Sequence, residues 1–315
     1  MMPYDTISTT CPERPHLKVR VSNSQGDTMK PTNLLTNIFL DSGDPNETRE
    51  LIALLGFLDG QTTNPTLIAK NPDAKKRLEG GERFNSEEIF DFYKQVVKEI
   101  STLIPQGSVS VEVYADNNTK SDVMFLQGKE MFSWIPNAHV KFPATTQGLK
   151  AAHDLVGAGG RVNMTLCFSQ EQAAAVYAAT KGAKRGEVFV SPFIGRLDDR
   201  GENGMNLIEN ILRMYQKGDG HVMVLSASIR SMEHFLYALQ LKSDIITAPF
   251  AILKEWGEKG MPMPDENFSY DAKGLRQIPY QDISLEKDWR SYDISHELTD
   301  KGMERFSQDW NVLIG

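Results

Sequence analysis

The chain has 315 residues, 40% hydrophobic and 24% charged, so it can bury one large core or two modest ones and does not read as globally disordered. Its 34 Lys and Arg against 42 Asp and Glu leave a formal charge of −8, which argues against a general nucleic-acid binder, since such proteins carry a basic face. No uninterrupted apolar run approaches the roughly 18 residues of a membrane helix, the opening Met1-Met2-Pro3-Tyr4-Asp5 is unlike a signal peptide, and Cys11 and Cys167 form no disulfide framework or CxxC; a cytoplasmic location is the expectation.

Residues 1–31 are polar and weakly periodic and read as an N-terminal extension. From there, short β-rich runs alternate with longer helix-forming stretches. Strands are expected at 37–41 (NIFLD), 58–63 (LDGQTT), 109–114 (VSVEVY), 138–142 (AHVKF), 161–167 (RVNMTLC), 187–192 (EVFVSP), 221–227 (HVMVLSA) and 244–248 (DIITA). Helical spacing falls between them at 46–56, 86–104, 147–157, 169–181, 204–217 and 231–241. Ser169 with Gln172, and Asn85 with Glu87 and Glu88, place capping side chains and acids where first turns belong.

Eight βα units in about 220 residues, with no GxGxxG after the first strand, fit a closed (β/α)8 TIM barrel over 32–258 better than an open sheet. Residues 259–315 follow as a C-terminal extension. Its Pro-, Gly- and Asp-rich part, 260–282, reads as a long excursion. Its helix, 295–312, puts Leu298, Met303, Phe306, Trp310 and Leu313 near one face, a docking stripe for the chain's own barrel or for a partner subunit, and hence compatible with a homo-oligomer, a dimer first.

In such a barrel the C-terminal ends of the strands meet at one mouth, so strand-end side chains are the candidate site. They are Asp41, Thr62, Asn64, Glu112, Lys141, Asn163, Thr165, Ser191, Arg196, Ser228 and Arg230. Parallel-barrel strands are usually apolar on both faces, so a carboxylate at Glu112 needs a partner or a task. A lysine in Ala138-His139-Val140-Lys141-Phe142 is costly as a cation, and its position suggests a neutral amine suited to attack a carbonyl. Lys141 with a ketone would form an iminium, an electron sink that lets the neighbouring C–C bond break. Asp41 and Glu112 are the carboxylates available for the proton transfers. Arg196, Arg230 and a serine hydroxyl after the sixth and seventh strands favour a phosphorylated substrate. Cys167, in Met164-Thr165-Leu166-Cys167-Phe168, reads as a small buried hydrophobe.

Asp59-Gly60-Gln61-Thr62-Thr63-Asn64-Pro65-Thr66 resembles the TTNP signature of the transaldolase family. Asn163-Met164-Thr165-Leu166-Cys167-Phe168-Ser169 resembles its N-x-T-L-x-F-S block, and Ser191-Pro192-Phe193-Ile194-Gly195-Arg196 its SPF-x-GR block. The resemblance implies Lys141 as the Schiff-base lysine, Asp41 as the base of C–C cleavage, and Glu112 with Thr165 and a water as the proton-transfer set. It implies Asn64, Asn163, Ser191 and Thr62 around a dihydroxyacetone unit, Arg196, Ser228 and Arg230 on the phosphate, and neither metal nor organic cofactor. Related fructose-6-phosphate aldolases tend to carry Gln and Tyr where this chain has Glu112 and Phe193, so transfer between sugar phosphates, with Phe193 guarding the enamine, is the implied activity. The competing readings are an aldolase that releases the three-carbon unit, transfer on an unusual ketose such as a sulfonated one, and a silent barrel that only binds sugar phosphates. Residues 142–148 depart from the longer subfamilies, and 1–31 and 260–315 match no motif of the family.

Overall fold

A computed structural model describes residues 30–272 and 274–315. Residues 1–29 lie outside the described part, and with them Cys11 and nearly all of the expected N-terminal extension. Eight parallel strands close in sequence order: β1 (Asn37–Asp41), β2 (Gly60–Thr62), β3 (Ser108–Glu112), β4 (Ala138–Pro143), β5 (Val162–Cys167), β6 (Val188–Pro192), β7 (Val222–Ser226) and β8 (Ile245–Ala248). β8 pairs back to β1 from Asn37 opposite Ile245 to Leu40 opposite Ala248. The expected (β/α)8 barrel is the observed one.

The helices on and between these strands are α1 (Pro45–Leu55), α2 (Pro65–Ala69), α3 (Pro72–Glu79), α4 (Ser86–Leu103), α5 (Ser121–Phe132), α6 (Thr146–Gly157), α7 (Gln170–Ala179), α8 (Ile194–Asp198), α9 (Gly204–Tyr215), α10 (Met232–Gln240), α11 (Phe250–Glu258) and α12 (Glu297–Asn311). Their starts follow from local chemistry. Asn85 accepts from Glu87 N and Glu88 N while Glu88 reaches back to Asn85 N, closing a capping box on α4. Thr145, Ser169 and Ser231 cap α6, α7 and α10 more simply, each accepting from the N–H three residues on. α2 and α3 both begin at an Asn-Pro pair, Asn64-Pro65 and Asn71-Pro72, where Asn caps and Pro supplies a preset first residue with no N–H to lose.

Period 2 divides each strand. Ile38, Leu40, Val109, Val111, Val140, Phe142, Val162, Met164, Val188 and Val190 are fully buried; burying each such side chain contributes roughly 1.5–3 kcal/mol. Their sequence neighbours point into the barrel and are mostly polar. α12 returns to the mouth: Thr299 Oγ1 donates to Leu166 O at 2.9 Å and Gln172 Nε2 to Thr299 Oγ1 at 2.8 Å. Trp310 packs on Phe90 and Tyr93, with ring centroids 5.5 and 5.9 Å away. Leu298, Met303, Phe306, Trp310 and Leu313 are all buried within the chain, so the stripe read as a possible partner surface is covered by its own barrel. The excursion before it runs along α7 and α9, where Asn203 N donates to Arg276 O, Asn210 Nδ2 to Ile278 O and Gln170 Nε2 to Gln281 O.

Candidate active site

Strand register brings the chemistry together. Glu112 lies opposite Lys141 and Lys141 opposite Asn163 on adjacent strands, so three inward side chains stand side by side on neighbouring strands. Lys141 Nζ donates to Thr63 O at 2.9 Å and stands 2.9 Å from Glu112 Oε2, with both side chains 4% exposed. That separation makes an ion pair, and Oε2 has no other partner among the described residues. The amine is therefore paired with a carboxylate rather than isolated among apolar groups, as its sequence context had implied. Burial pushes the Glu112 carboxyl above the usual range, with Lys141 the main opposing influence.

A fully buried tyrosine on α4 sets these atoms in place. Tyr93 Oη accepts from Glu112 N at 2.9 Å and donates to Thr63 Oγ1 at 2.6 Å, which in turn donates to Ser110 O. Both contacts of Lys141 thus hang from one hydroxyl. Replacing Tyr93 by Phe strands a buried N–H and should lower stability by about 1–3 kcal/mol, read as a lower urea midpoint at unchanged slope. A variant as stable as the wild type would show that Tyr93 Oη carries no part of this support.

Asp41 ends β1 at the mouth. Thr62 Oγ1 donates to its Oδ1 at 2.7 Å, and Thr247 donates to Thr62 at 2.6 Å. Asp41 keeps some exposed surface toward the cavity, yet protein surrounds it closely enough that burial raises its carboxyl, against the pull of Lys141, Thr62 and Lys70. Below the mouth a short chain links three strands: Ser191 Oγ donates to Asn163 Oδ1 at 2.6 Å and Asn163 Nδ2 to Ser110 Oγ at 3.0 Å. Thr165, two residues further along β5, is fully buried with a hydroxyl that finds no partner among the described residues. In a folded interior that is an uncommon state.

Arg196 lies on α8 with its guanidinium 5.8 Å from the Phe193 ring and 5.5 Å from Phe306. Arg230 follows β7 and grips Asp199 with two bonds of 3.0 and 2.8 Å. The two arginines expected at one phosphate thus border one cavity, but one of them is held by a carboxylate. Ser228 has φ 60°, a left-handed conformation that a non-glycine residue adopts at a cost and that recurs at functional loops. Gly195 donates to Ser228 O at 3.1 Å, and a Cβ there would meet Arg230 Cγ and Ser228 O, each at 2.5 Å. Only glycine lets the arginine stem pass. His234 ties the same loops, with Nε2 2.9 Å from Asp198 Oδ2 and Nδ1 accepting from Arg230 N.

The cavity so formed holds about 320 Å³. Of the predicted residues, Asp41, Thr62, Asn64, Lys141, Ser191, Phe193, Arg196, Ser228 and Arg230 line it. Glu112, Asn163 and Thr165 do not reach its wall; the first is joined to it through Lys141 and the second through Ser191. Thr66, Leu67, Lys70, Thr247, Arg305 and Phe306 line it unpredicted. Asn64 serves twice, since its Oδ1 also caps α2 by accepting from Leu67 N. Cys167 is buried and burial pushes its thiol up to about 12, which fits a hydrophobe and no nucleophile. A larger hollow of about 490 Å³ lies at the opposite end of the barrel. There His139 stacks on Phe189 at 4.1 Å and burial holds its pKa down to about 3, so it offers no charge or base near neutrality. Among the described residues no three His, Cys, Asp or Glu side chains gather as a metal cage, and no helix is long and apolar enough to cross a membrane.

A buried lysine with two carboxylates near it thus stands at the C-terminal mouth of a closed barrel. The family described as transaldolase/fructose-6-phosphate aldolase matches residues 38–315. The chain belongs to the transaldolase/fructose-6-phosphate aldolase family. A probable transaldolase of Dehalococcoides mccartyi is 36% identical over 276 residues, covering 88% of this chain and 98% of that protein. One from Paracoccus denitrificans is 35% identical over 272 residues (86% and 95%), and one from Roseiflexus castenholzii 33% over 275 (87% and 97%). The matched region takes in the barrel, the mouth and α12, so the C-terminal helix is part of this family's shared architecture and no appendage of this chain.

Proposed function

We propose that this family member is a transaldolase that moves a dihydroxyacetone unit between sugar phosphates through a Schiff base on Lys141. The observation that carries the reading is the Lys141–Glu112 contact with Asp41 at the rim of the same cavity: a nucleophilic amine with two separately placed carboxylates. The Lys141 amine adds to the C2 carbonyl of a ketose phosphate to give a carbinolamine. Glu112, with Thr165 and a water, delivers the proton with which the hydroxyl leaves as water, forming an iminium. Asp41 takes the proton of the C4 hydroxyl; the C3–C4 bond breaks, its electron pair moves to the iminium nitrogen, and the product is an enamine with a free aldose phosphate. An acceptor aldehyde then enters and the steps run in reverse, releasing the new ketose and the free lysine.

Sedoheptulose 7-phosphate with glyceraldehyde 3-phosphate, giving erythrose 4-phosphate and fructose 6-phosphate, is the proposed pair. The cations on the cavity wall support a phosphorylated substrate. Phe193, 8% exposed and edge-on to Phe168 at 5.9 Å, presents a ring with no proton to give where the related aldolases tend to carry a phenol, which favours an enamine that waits for an acceptor. Borohydride reduction in the presence of fructose 6-phosphate tests the reading. A three-carbon adduct is expected on the peptide carrying Lys141. Folded protein that binds the sugar and yields no adduct would overturn it, and rapid release of free dihydroxyacetone without an acceptor would replace it by the aldolase.

A further inference from the structure

The mouth is more basic than a single phosphate site of two arginines requires. Five cationic side chains line the cavity, Lys70, Lys141, Arg196, Arg230 and Arg305, against one carboxylate, Asp41. Four of these come from barrel strands or from the short segments, helical turns included, that directly follow them; Arg305 comes from α12, far along the chain. Its position is not incidental. α12 is fixed to the mouth by Thr299 on Leu166 O and by the contact of Thr66 Oγ1 with Asp309. Gly302 lies so close to Arg196 that a Cβ there would stand 2.9 Å from Nη1, and the neighbour of Arg305, Phe306, carries the Arg196 guanidinium over its ring. Arg305 itself uses Nε to hold Asp309 at 3.0 Å, and no hydrogen bond engages its terminal nitrogens among the described residues.

We propose that Arg305 is a third arginine for the substrate's phosphate, supplied by the C-terminal helix, so that α12 binds substrate as well as closing the mouth. This rests on the transaldolase reading for the identity of the substrate, and on the cavity alone for the anion. Arg230 spends both terminal nitrogens on Asp199 and Arg196 has no salt bridge among the described residues, whereas Arg305 pairs with Asp309 through Nε alone, so its two terminal nitrogens are the second set of donors that a dianion would need here. Burial first, then the neighbouring Arg230, push the Arg196 guanidinium below its ordinary pKa, and Arg305 adds to the push. Three like charges brought that close without an anion repel one another, and a bound phosphate relieves all three. The side chain of Arg305 is 63% exposed, so screening limits its contribution to an intermediate one.

The test is calorimetric titration of the full chain with inorganic phosphate, comparing wild type, Arg305→Ala, Arg305→Lys and, as a control for net charge, Lys301→Ala, whose residue pairs with Glu297 on the same helix. Arg305→Ala is expected to weaken phosphate by about tenfold, Arg305→Lys to recover part of it, and Lys301→Ala to change it little. In turnover, KM for fructose 6-phosphate should rise by a similar factor with kcat nearly held, and the borohydride adduct formed from unphosphorylated dihydroxyacetone should be unchanged. Equal phosphate affinity in wild type and Arg305→Ala, or the same loss in Lys301→Ala, would overturn the proposal. Failure of the transaldolase reading would show separately, as no Lys141 adduct in the wild type, while the phosphate titration still decides Arg305.

Discussion

Lys141→Ala is expected to lose dihydroxyacetone transfer by on the order of 10⁴–10⁶-fold, as removal of a covalent nucleophile does in other enzymes. No other amine can replace it by a small movement, since Lys70 is at the exposed rim and its neighbours on the wall are arginines. The substitution also changes the fold's energetics. Glu112 is buried at 4% exposure with Lys141 as its only charged partner within 4 Å among the described residues. Removing one member of a buried pair leaves the other uncompensated, at a cost of about 3–5 kcal/mol, unless Glu112 takes up a proton. The variant should therefore be less stable at neutral pH than in acid, and the double variant Lys141→Met with Glu112→Gln should regain most of the loss while remaining inactive. That double variant separates chemistry from folding. Turnover near the wild-type level in a folded Lys141→Ala protein would end the Schiff-base mechanism.

How much of this was legible in the sequence depends on which interactions are local. All eight strands were, because short β-branched runs bounded by turns and caps are a local pattern, and observed ends fall within two residues of the expected ones. The helices α2 and α3 were overlooked although Asn64-Pro65 and Asn71-Pro72 announce them; the first was read only as a ligand-binding asparagine. α5 carries a weak signal, with no side-chain cap and with Val123 and Leu126 exposed. α8 and α11 are short and continue directly from strand ends. The site was legible wherever a residue ends a strand, since barrel geometry converts strand ends into a common mouth. It was not legible where register or distance decides. The pairing of Lys141 with Glu112, the hold of Asp199 on Arg230 and the placement of Tyr93 Oη between Glu112 and Thr63 are all facts of pairing between segments. Arg305 and Phe306 reach the mouth only because α12 folds back over it, and Lys70 is the C-cap of α2, a helix that was not expected.

Asp41→Asn is expected to slow C–C cleavage by about 10²–10⁴-fold, the usual contribution of a positioned general base, while leaving the lysine adduct able to form. Its pH behaviour carries the sharper test. Burial raises the Asp41 carboxyl in the folded state, so the ionised base is present only above that raised pKa, and cleavage by the wild type should fall on its acid side at a pH above the ordinary carboxylate range. Glu112 is raised as well, so the two are separated by step: aldehyde release in a single turnover reports Asp41, and borohydride trapping of the iminium reports Glu112. Asp41→Asn should remove the acid limb from the first readout and leave the second, which needs Glu112 protonated to deliver its proton and so falls on its alkaline side, unchanged. Stability should move the other way. A carboxyl whose pKa is raised on folding contributes stability that is present below its unfolded value, about 3.9, and is lost as pH rises through the folded value. At neutral pH the ionised Asp41 is thus a cost to the fold, which neutral Asn, still able to accept from Thr62, does not incur. The variant should melt at a higher temperature than the wild type at pH 7, with the gap closing in acid. A lower melting temperature at pH 7 would mean that Lys141, Thr62 and Lys70 outweigh burial, and that the site holds its base ready without strain.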